Sequence, residues 1–135
     1  MADERPVITF MLVAYNQEKF IAEAIQGAFS QTYSPLEIIL SDDCSPDRTF
    51  AIMQEMTAQY HGPHTIVLNR NERNLGLTGH INRVMEFAKG ELIVAAAGDD
   101  ISISQRTEEI YQAYCQSDKR AYSIYSLSFL MNEDG

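Results

Sequence analysis

Residues 92–100 read Leu-Ile-Val-Ala-Ala-Ala-Gly-Asp-Asp, an apolar run that stops abruptly at two adjacent carboxylates. Such a run is typical of a parallel strand buried on both faces. In open α/β sheets, ligands bind at the carboxyl ends of the strands. Asp99 and Asp100 are therefore predicted to face a ligand crevice, where two carboxylates so close together favour a nearby cation. Mg²⁺ or Mn²⁺ fits, because both take oxygen ligands and keep places for phosphate oxygens. A solvated acidic loop is the structural alternative.

Strand and helix patterns alternate on both sides of this segment. β-prone apolar runs are followed by segments with apolar residues at helical spacing, which predicts a mainly parallel α/β sheet with helices on both faces. The predicted strands are 7–13, 36–40, 65–68, 92–97 and 121–131, and the predicted helices are 18–30, 46–60, about 80–89 and 105–115.

Local signals predict where individual elements begin and which faces they bury. Ser45-Pro46-Asp47 is typical of a helix start, with Ser45 as the capping residue. Residues 69–78 are polar and contain glycine, which predicts the longest loop of the chain. In the helix after that loop, the expected inward face is Ile81, Val84, Met85 and Ala88.

Composition limits the class of protein. The chain has 135 residues, 45% of them hydrophobic and 21% charged, which predicts a single globular domain over 1–135. A net charge of −9 argues against a nucleic acid or an anionic membrane as partner. No apolar stretch is long enough to span a membrane, and the N-terminus lacks the features of a signal peptide. Cys44 and Cys115 are expected to be free thiols in a reducing compartment, which favours a cytoplasmic location.

Two earlier strand ends carry chemistry that matches the acidic pair. The first strand runs into the turn 13–18, where small residues and the Tyr15 ring suit a planar group and Glu18 can cap the next helix. An ordinary strand-to-helix turn is the alternative. The second strand runs into Asp42-Asp43, and an ionised carboxylate there is a strong acceptor for a base N–H or a ribose hydroxyl. Asp43 and Ser45 could instead satisfy the free N–H groups of the following helix.

A glycine-containing loop, Asn74-Leu75-Gly76-Leu77-Thr78-Gly79, offers backbone that could approach phosphates. Three arginines flank it and are candidates for phosphate contact: Arg70, Arg73 and Arg83.

With these residues in place, the chain resembles the inverting family-2 glycosyltransferases, whose nucleotide-binding half has the Rossmann-like GT-A fold. Five motifs occur in order and at family spacing over nearly the whole chain: Tyr15-Asn16-Gln17-Glu18; Glu37, Ile39, Asp42, Asp43, Ser45, Asp47 and Thr49; Asn74, Gly76 and Asn82; Gly90-Glu91; and Asp99-Asp100. Two positions depart from the family pattern. Ala97 stands where many members carry an acid, and Cys44 stands where glycine is frequent.

The resemblance implies a nucleotide-diphospho-sugar donor, most often a UDP-sugar, bound through Mn²⁺ or Mg²⁺ for transfer to a saccharide or lipid-linked acceptor hydroxyl. It implies that Val13, Ala14, Tyr15 and Asp43 hold the base and that Asp99 lies near the ribose or the phosphates. Asp100 is the implied metal ligand, and Glu18 and Arg83 complete the expected donor-binding set.

The resemblance also implies that part of the machinery is absent. The family's catalytic base comes from a later segment, so it is expected beyond Gly135, together with the acceptor-binding part. We therefore expect a C-terminally truncated GT-A domain that binds donor but transfers no sugar by itself. The edge of the 92–97 strand is then expected to be exposed and to support a homodimer. The alternative is that residues 121–131 fold back beside this strand and close the monomer.

Three other functions compete with this interpretation. A non-catalytic sugar-nucleotide binding or interaction module is compatible with the absent base. A phosphoacceptor signalling domain needs acids after the first strand, where this chain has Val13-Ala14-Tyr15. A nucleotidyltransferase needs a basic glycine-rich loop at the same place, and that loop is absent from the sequence.

Overall fold

A computed structural model describes residues 5–119 of the chain. Four strands alternate with four helices: β1 Ile8–Ala14, α1 Ile21–Phe29, β2 Leu36–Asp42, α2 Thr49–Ala58, β3 Thr65–Arg70, α3 Gly76–Met85, β4 Leu92–Ala97 and α4 Arg106–Gln116. Every pairing is parallel and the strand order is β3-β2-β1-β4. Because the strands are parallel, the carboxyl ends of β1, β2 and β4 lie at the same end of the sheet. The strand order reverses between β1 and β4, which is where open α/β sheets bind their ligands.

Helices cover both faces of this sheet, as predicted. Every residue of β1 and β2 is buried, because these two strands lie in the middle of the sheet and carry apolar side chains on both faces. One face packs on α1, with α2 and α4 at its margins, and the other packs on α3. The fold class expected from the sequence is confirmed.

The second helix starts three residues later than predicted. α2 begins at Thr49, and the side chain that serves its first turn is Asp47, whose Oδ1 accepts from Thr49 N at 3.0 Å and Thr49 Oγ1 at 2.6 Å. Ser45 does not cap the helix. Its Oγ accepts from Asn16 N at 2.8 Å and donates to Asp42, which ties the end of β1 to the end of β2.

The predicted long loop is much shorter in the structure. β3 continues to Arg70 and α3 already begins at Gly76, so only residues 71–75 connect them. Val84 is buried as predicted, and Ile81 and Ala88 pack partly buried beside it, but Met85 is 51% exposed and His80 is buried. His80 and Val84 are four residues apart and share one face of the helix, whereas Met85 directly follows Val84 and points to a different side.

β4 is not buried on both faces. Ala95 is exposed and Leu92 and Ile93 are only half-buried, because β4 ends the strand order among residues 5–119 and has β1 as its single partner there. The predicted strand at 121–131 lies outside the described residues. Within the described part of the chain, no helix is long and apolar enough to cross a membrane. Cys44 and Cys115 are free, as expected.

Candidate functional site

A cleft of about 340 Å³ opens at the carboxyl ends of β1, β2 and β4. It lies where parallel sheets place their ligands. The strand ends and the first turns of α3 form its walls, with lining side chains that include Val13, Ala14, Tyr15, Asp43, His80 and Ala97. Four of the residues predicted to bind the donor therefore share one cleft: Val13, Ala14, Tyr15 and Asp43.

Asp43 lines the cleft and is 2% exposed. Its Oδ1 accepts from Asn71 Nδ2 at 2.8 Å and from Leu75 N at 2.8 Å, and its Oδ2 accepts from Gly76 N at 3.0 Å. The carboxylate thus caps α3, which begins 33 residues later, and does not cap α2 as the structural alternative proposed. A carboxylate accepts roughly four hydrogen bonds. Three positions are taken, so one acceptor position of Asp43 has no partner among residues 5–119.

His80 lines the same cleft and belongs to a buried polar network that joins α3 to β2 and β3. Its Nε2 lies 2.6 Å from Ser41 Oγ, and Ser41 Oγ also accepts from Asn69 Nδ2 at 2.9 Å. Burial lowers the pKa of His80, and the negative charges of Asp43 and Asp42 oppose that shift. His80 is therefore neutral at physiological pH. The sequence prediction did not include it, although its i, i+4 relation to Val84 places it on the buried face of α3.

The mouth of the cleft carries exposed apolar surface. Tyr15 is 47% exposed and Leu77 is 68% exposed, although both line the cleft. Below them, Val13 and Ala14 are buried and contribute backbone and small side chains. An aromatic ring beside a floor of small residues can hold a flat ligand group, because such a group buries apolar area on both of its faces.

Asp99 and Asp100 follow β4 in an exposed turn beside Ala97, which lines the cleft. Asp100 stabilises this turn, with Oδ2 accepting from Ala97 N at 3.1 Å and its own N donating to Ala97 O at 3.0 Å. Residues 5–119 contain no group of three histidine, cysteine or acidic side chains that could hold a metal ion by themselves. Two exposed carboxylates fit Mg²⁺ or Mn²⁺ nevertheless, since Mg²⁺ is usually held by one or two carboxylates together with substrate phosphates.

The structure does not bring Glu18 and Arg83 to this cleft. Glu18 Oε2 accepts from Arg48 N at 3.3 Å, at the start of α2. Arg83 pairs with Glu86 at 2.9 Å on the exposed side of α3. Of the other arginines considered for phosphate contact, Arg70 is engaged with Asp42 at 3.5 Å and with Ser45 O at 3.1 Å.

The family model for glycosyl transferase family 2 matches residues 9–126. The chain belongs to this family. Among curated relatives, it is 31% identical over 129 residues to EpsE of Bacillus subtilis, which is named as a candidate glycosyltransferase. That match covers 96% of this chain and 45% of EpsE, so the chain spans about half the length of the relative.

Two solved structures show the same fold. The mannosyltransferase PcManGT from Pyrobaculum calidifontis, in complex with GDP-Man and Mn²⁺, superposes with a TM-score of 0.67 at 24% identity, over 73% of this chain and 29% of that one. TarS 1–349 from S. aureus, in complex with UDP-GlcNAc, gives a TM-score of 0.69 at 20% identity, over 81% of this chain and 31% of that one. Both are similar to this chain in the arrangement of strands and helices.

Proposed function

We propose that this chain is the donor-binding part of a glycosyltransferase, which binds a nucleotide-diphospho-sugar together with Mn²⁺ or Mg²⁺ for transfer of the sugar to a saccharide or lipid-linked acceptor hydroxyl. The observation that carries the proposal is the cleft itself. Two features of it support the proposal: the buried acceptor Asp43 lines it after β2, and the exposed pair Asp99 and Asp100 follows Ala97, which lines it at the end of β4.

Each end of the cleft suits a different part of the donor. The Tyr15 ring and the small side chains of Val13 and Ala14 suit the flat nucleobase, and the remaining acceptor position of Asp43 suits a base N–H or a ribose hydroxyl. Asp99 has no hydrogen-bond or ion-pair partner among residues 5–119, so its carboxylate is free to face the ribose or the diphosphate.

Asp100 is the residue that we assign to the metal. A divalent ion bound there would neutralise charge on the diphosphate leaving group. The protein contributes a fixed carboxylate, since Asp100 is anchored through Ala97 to the end of β4. Net charge supports this role for a metal, because a chain with charge −9 needs a local positive charge to hold a diphosphate.

The family relation leaves the nucleotide open between UDP and GDP, and the solved relatives PcManGT and TarS carry GDP-Man and UDP-GlcNAc respectively. We propose a UDP-sugar, the donor implied by the family resemblance.

Calorimetric titration tests the proposal. UDP and GDP are titrated into the chain with Mn²⁺ and again in excess chelator, and binding is expected only with the metal. Asp100→Asn should weaken metal-dependent binding by about 10- to 100-fold, because hydrogen bonds and contacts to charged groups contribute about 1.5–3 kcal/mol.

Asp118→Asn is the matched control, since it removes the same charge from an exposed position at the end of α4. It should leave binding unchanged. Tight nucleotide binding in excess chelator, or an Asp100→Asn variant that keeps its manganese dependence, would contradict the metal assignment.

A further inference from the structure

We propose that His80 is a specificity-determining residue of this cleft, which presents its Nδ1–H as a hydrogen-bond donor to an acceptor atom on the nucleobase of the bound nucleotide. The proposal rests on the proposed function for the presence of a nucleotide. It goes further in naming a residue outside the acidic motifs, the tautomer that this residue holds and the ligand atom class that it contacts.

The polarity of the network around His80 can be traced from Asp43. The Asp43 carboxylate accepts from Asn71 Nδ2, which turns Asn71 Oδ1 toward Asn69. Asn69 Nδ2 then donates to Asn71 Oδ1 at 3.2 Å and to Ser41 Oγ at 2.9 Å. Each amide is therefore held in one orientation, and the Ser41 hydroxyl is an acceptor in this chain of hydrogen bonds.

The Ser41 proton decides the tautomer of His80. Ser41 is fully buried, and the only acceptor that its hydroxyl reaches among the described residues is His80 Nε2 at 2.6 Å. A buried hydroxyl proton without an acceptor is unfavourable, so Ser41 donates to Nε2. In a neutral imidazole one ring nitrogen accepts and the other carries the proton. The proton of His80 is therefore on Nδ1.

Nδ1 is the ring nitrogen left for a ligand. No residue in the described part of the chain accepts a hydrogen bond from it. Two side-chain atoms in residues 5–119 are fully buried without a partner, Thr57 Oγ1 and His64 Nδ1. Nδ1 of His80 is not one of them, so it is not fully buried. Since His80 lines the cleft, its Nδ1–H is accessible from there.

The cleft thus combines two complementary groups, the Nδ1–H donor of His80 and the remaining acceptor position of Asp43. Nucleobases carry acceptor and donor atoms side by side on their edges, whereas a diphosphate and a metal offer no such pair. A site that donates a hydrogen bond to a nucleobase discriminates against a ligand without the matching acceptor atom, because the donor is then left unpaired.

The tautomer is testable without any substitution. A long-range ¹H–¹⁵N spectrum of the histidine-labelled chain at mildly alkaline pH separates the two neutral tautomers. His80 should show the proton on Nδ1. His64 is an internal reference for the opposite tautomer, since its Nε2 lies 2.8 Å from Gln31 O, a group that can only accept. A proton on Nε2 of His80 would overturn the inference.

Binding of three probes tests the contact itself: UDP, GDP and inorganic pyrophosphate, each with Mn²⁺. His80→Ala should weaken binding of the preferred nucleotide by about 10-fold and leave pyrophosphate affinity unchanged, because pyrophosphate has no base. His61→Ala, which removes an exposed histidine, is the control and should change neither. His80→Asn, which keeps a side-chain N–H, should recover part of the lost nucleotide affinity.

Equal losses for nucleotide and pyrophosphate, or no loss for either, would overturn the role of His80 while leaving the proposed function intact. A wild-type chain that binds pyrophosphate but neither nucleotide would overturn the proposed function and this inference together.

Discussion

Asp43 serves the fold and the cleft with the same carboxylate. Its two oxygens accept from two backbone N–H groups at the start of α3 and from the Asn71 amide. A negative side chain at a helix N-terminus also interacts favourably with the helix dipole. The Asp43 carboxylate, which lines the cleft, is therefore held in place by the start of α3, and a change there should alter stability and, under the proposed function, binding.

The first prediction concerns stability at this residue. Asp43→Asn should lower the free energy of unfolding by about 1–3 kcal/mol, because an amide NH₂ cannot accept from the buried donors that now face the carboxylate. Urea unfolding measures the change. Asp99→Asn is the matched control at an exposed position without partners in the described residues, and it should change stability by less than about 0.5 kcal/mol. Equal effects of the two substitutions would contradict the capping role of Asp43.

The second prediction concerns pH and His80. Burial lowers the pKa of His80 below its ordinary value of 6.5, against the opposing charges of Asp43 and Asp42. The unfolded chain then binds more protons than the folded one just below that pH. The free energy of unfolding should therefore fall as the pH drops through 6.5, and this loss should end below the folded pKa.

Denaturant unfolding over a pH series measures this loss, and His80→Gln should reduce its slope. His61→Gln should keep it. Asp47 and Glu108 contribute at more acidic pH. Burial raises the pKa of Asp47, but its hydrogen bonds lower it overall from 3.8, and the Arg5 contact lowers the pKa of Glu108 from 4.5. A slope that is the same in the wild type and in His80→Gln would exclude His80 as its source.

At the scale of elements, the amino ends of β1 and β4 are joined by a small buried polar cluster. Glu37 Oε1 accepts from Thr9 Oγ1 at 2.8 Å and from Lys89 N at 3.0 Å, and Thr9 Oγ1 accepts from Gly90 N at 2.9 Å. Gly90 lies so close to β1 that a Cβ there would stand 2.3 Å from Thr9 N. The entry to β4 therefore requires glycine.

The third prediction follows from this approach of backbones. Gly90→Ala should destabilise the chain by about 1–3 kcal/mol, the usual cost of overpacking. The new Cβ would meet the backbone nitrogen of Thr9, which lies in the centre of the sheet and cannot move away. Thermal or urea unfolding measures it. Gly79→Ala is the comparison, since its Cβ would meet only the Leu75 side chain at 3.1 Å and alanine favours the helix by about 1 kcal/mol. Similar losses for both substitutions would contradict the proposed close approach.

Local patterns in the sequence predicted the elements, whereas long-range contacts decided their ends. The four described strands and the helices on both faces of the sheet follow from the alternation of apolar runs with helical spacing. The start of α3 did not follow, because its cap is Asp43, more than thirty residues earlier in the chain. The exposure of Ala95 was missed for a similar reason, since it depends on which element lies beyond β4. His80 was missed because a buried histidine has no local pattern that separates a cleft residue from a core residue.

At the scale of the whole molecule, the two ends of the sheet, where the strands start and where they finish, have different surroundings. The cleft, Asp43 and the acidic pair Asp99 and Asp100 lie at the carboxyl ends of the strands. At the amino ends of the strands, Thr9 donates to Glu37. Arg5 pairs with Glu108 and lies over the Tyr33 ring at 4.3 Å. The cleft therefore lies at one end of the sheet, and the polar contacts that fix the strand starts lie at the other.

The last prediction concerns association of the chain with itself. Among residues 5–119, β4 pairs with β1 on one side and with no strand on the other, and Ala95 is exposed on its surface. An edge strand favours addition of another strand, although at the carboxyl end of this edge Ala95 O already accepts from Arg106 Nη2 at 2.8 Å and Ala97 N donates to Asp100 Oδ2 at 3.1 Å. Light scattering over a dilution series should therefore show an average mass that rises with concentration. Ala95→Lys should reduce the rise, because a charged side chain on an edge strand opposes pairing. Ala58→Lys, which adds the same charge at an exposed position of α2, should leave it unchanged. A monomer mass at every concentration would show that the edge does not associate and would remove the proposed homodimer.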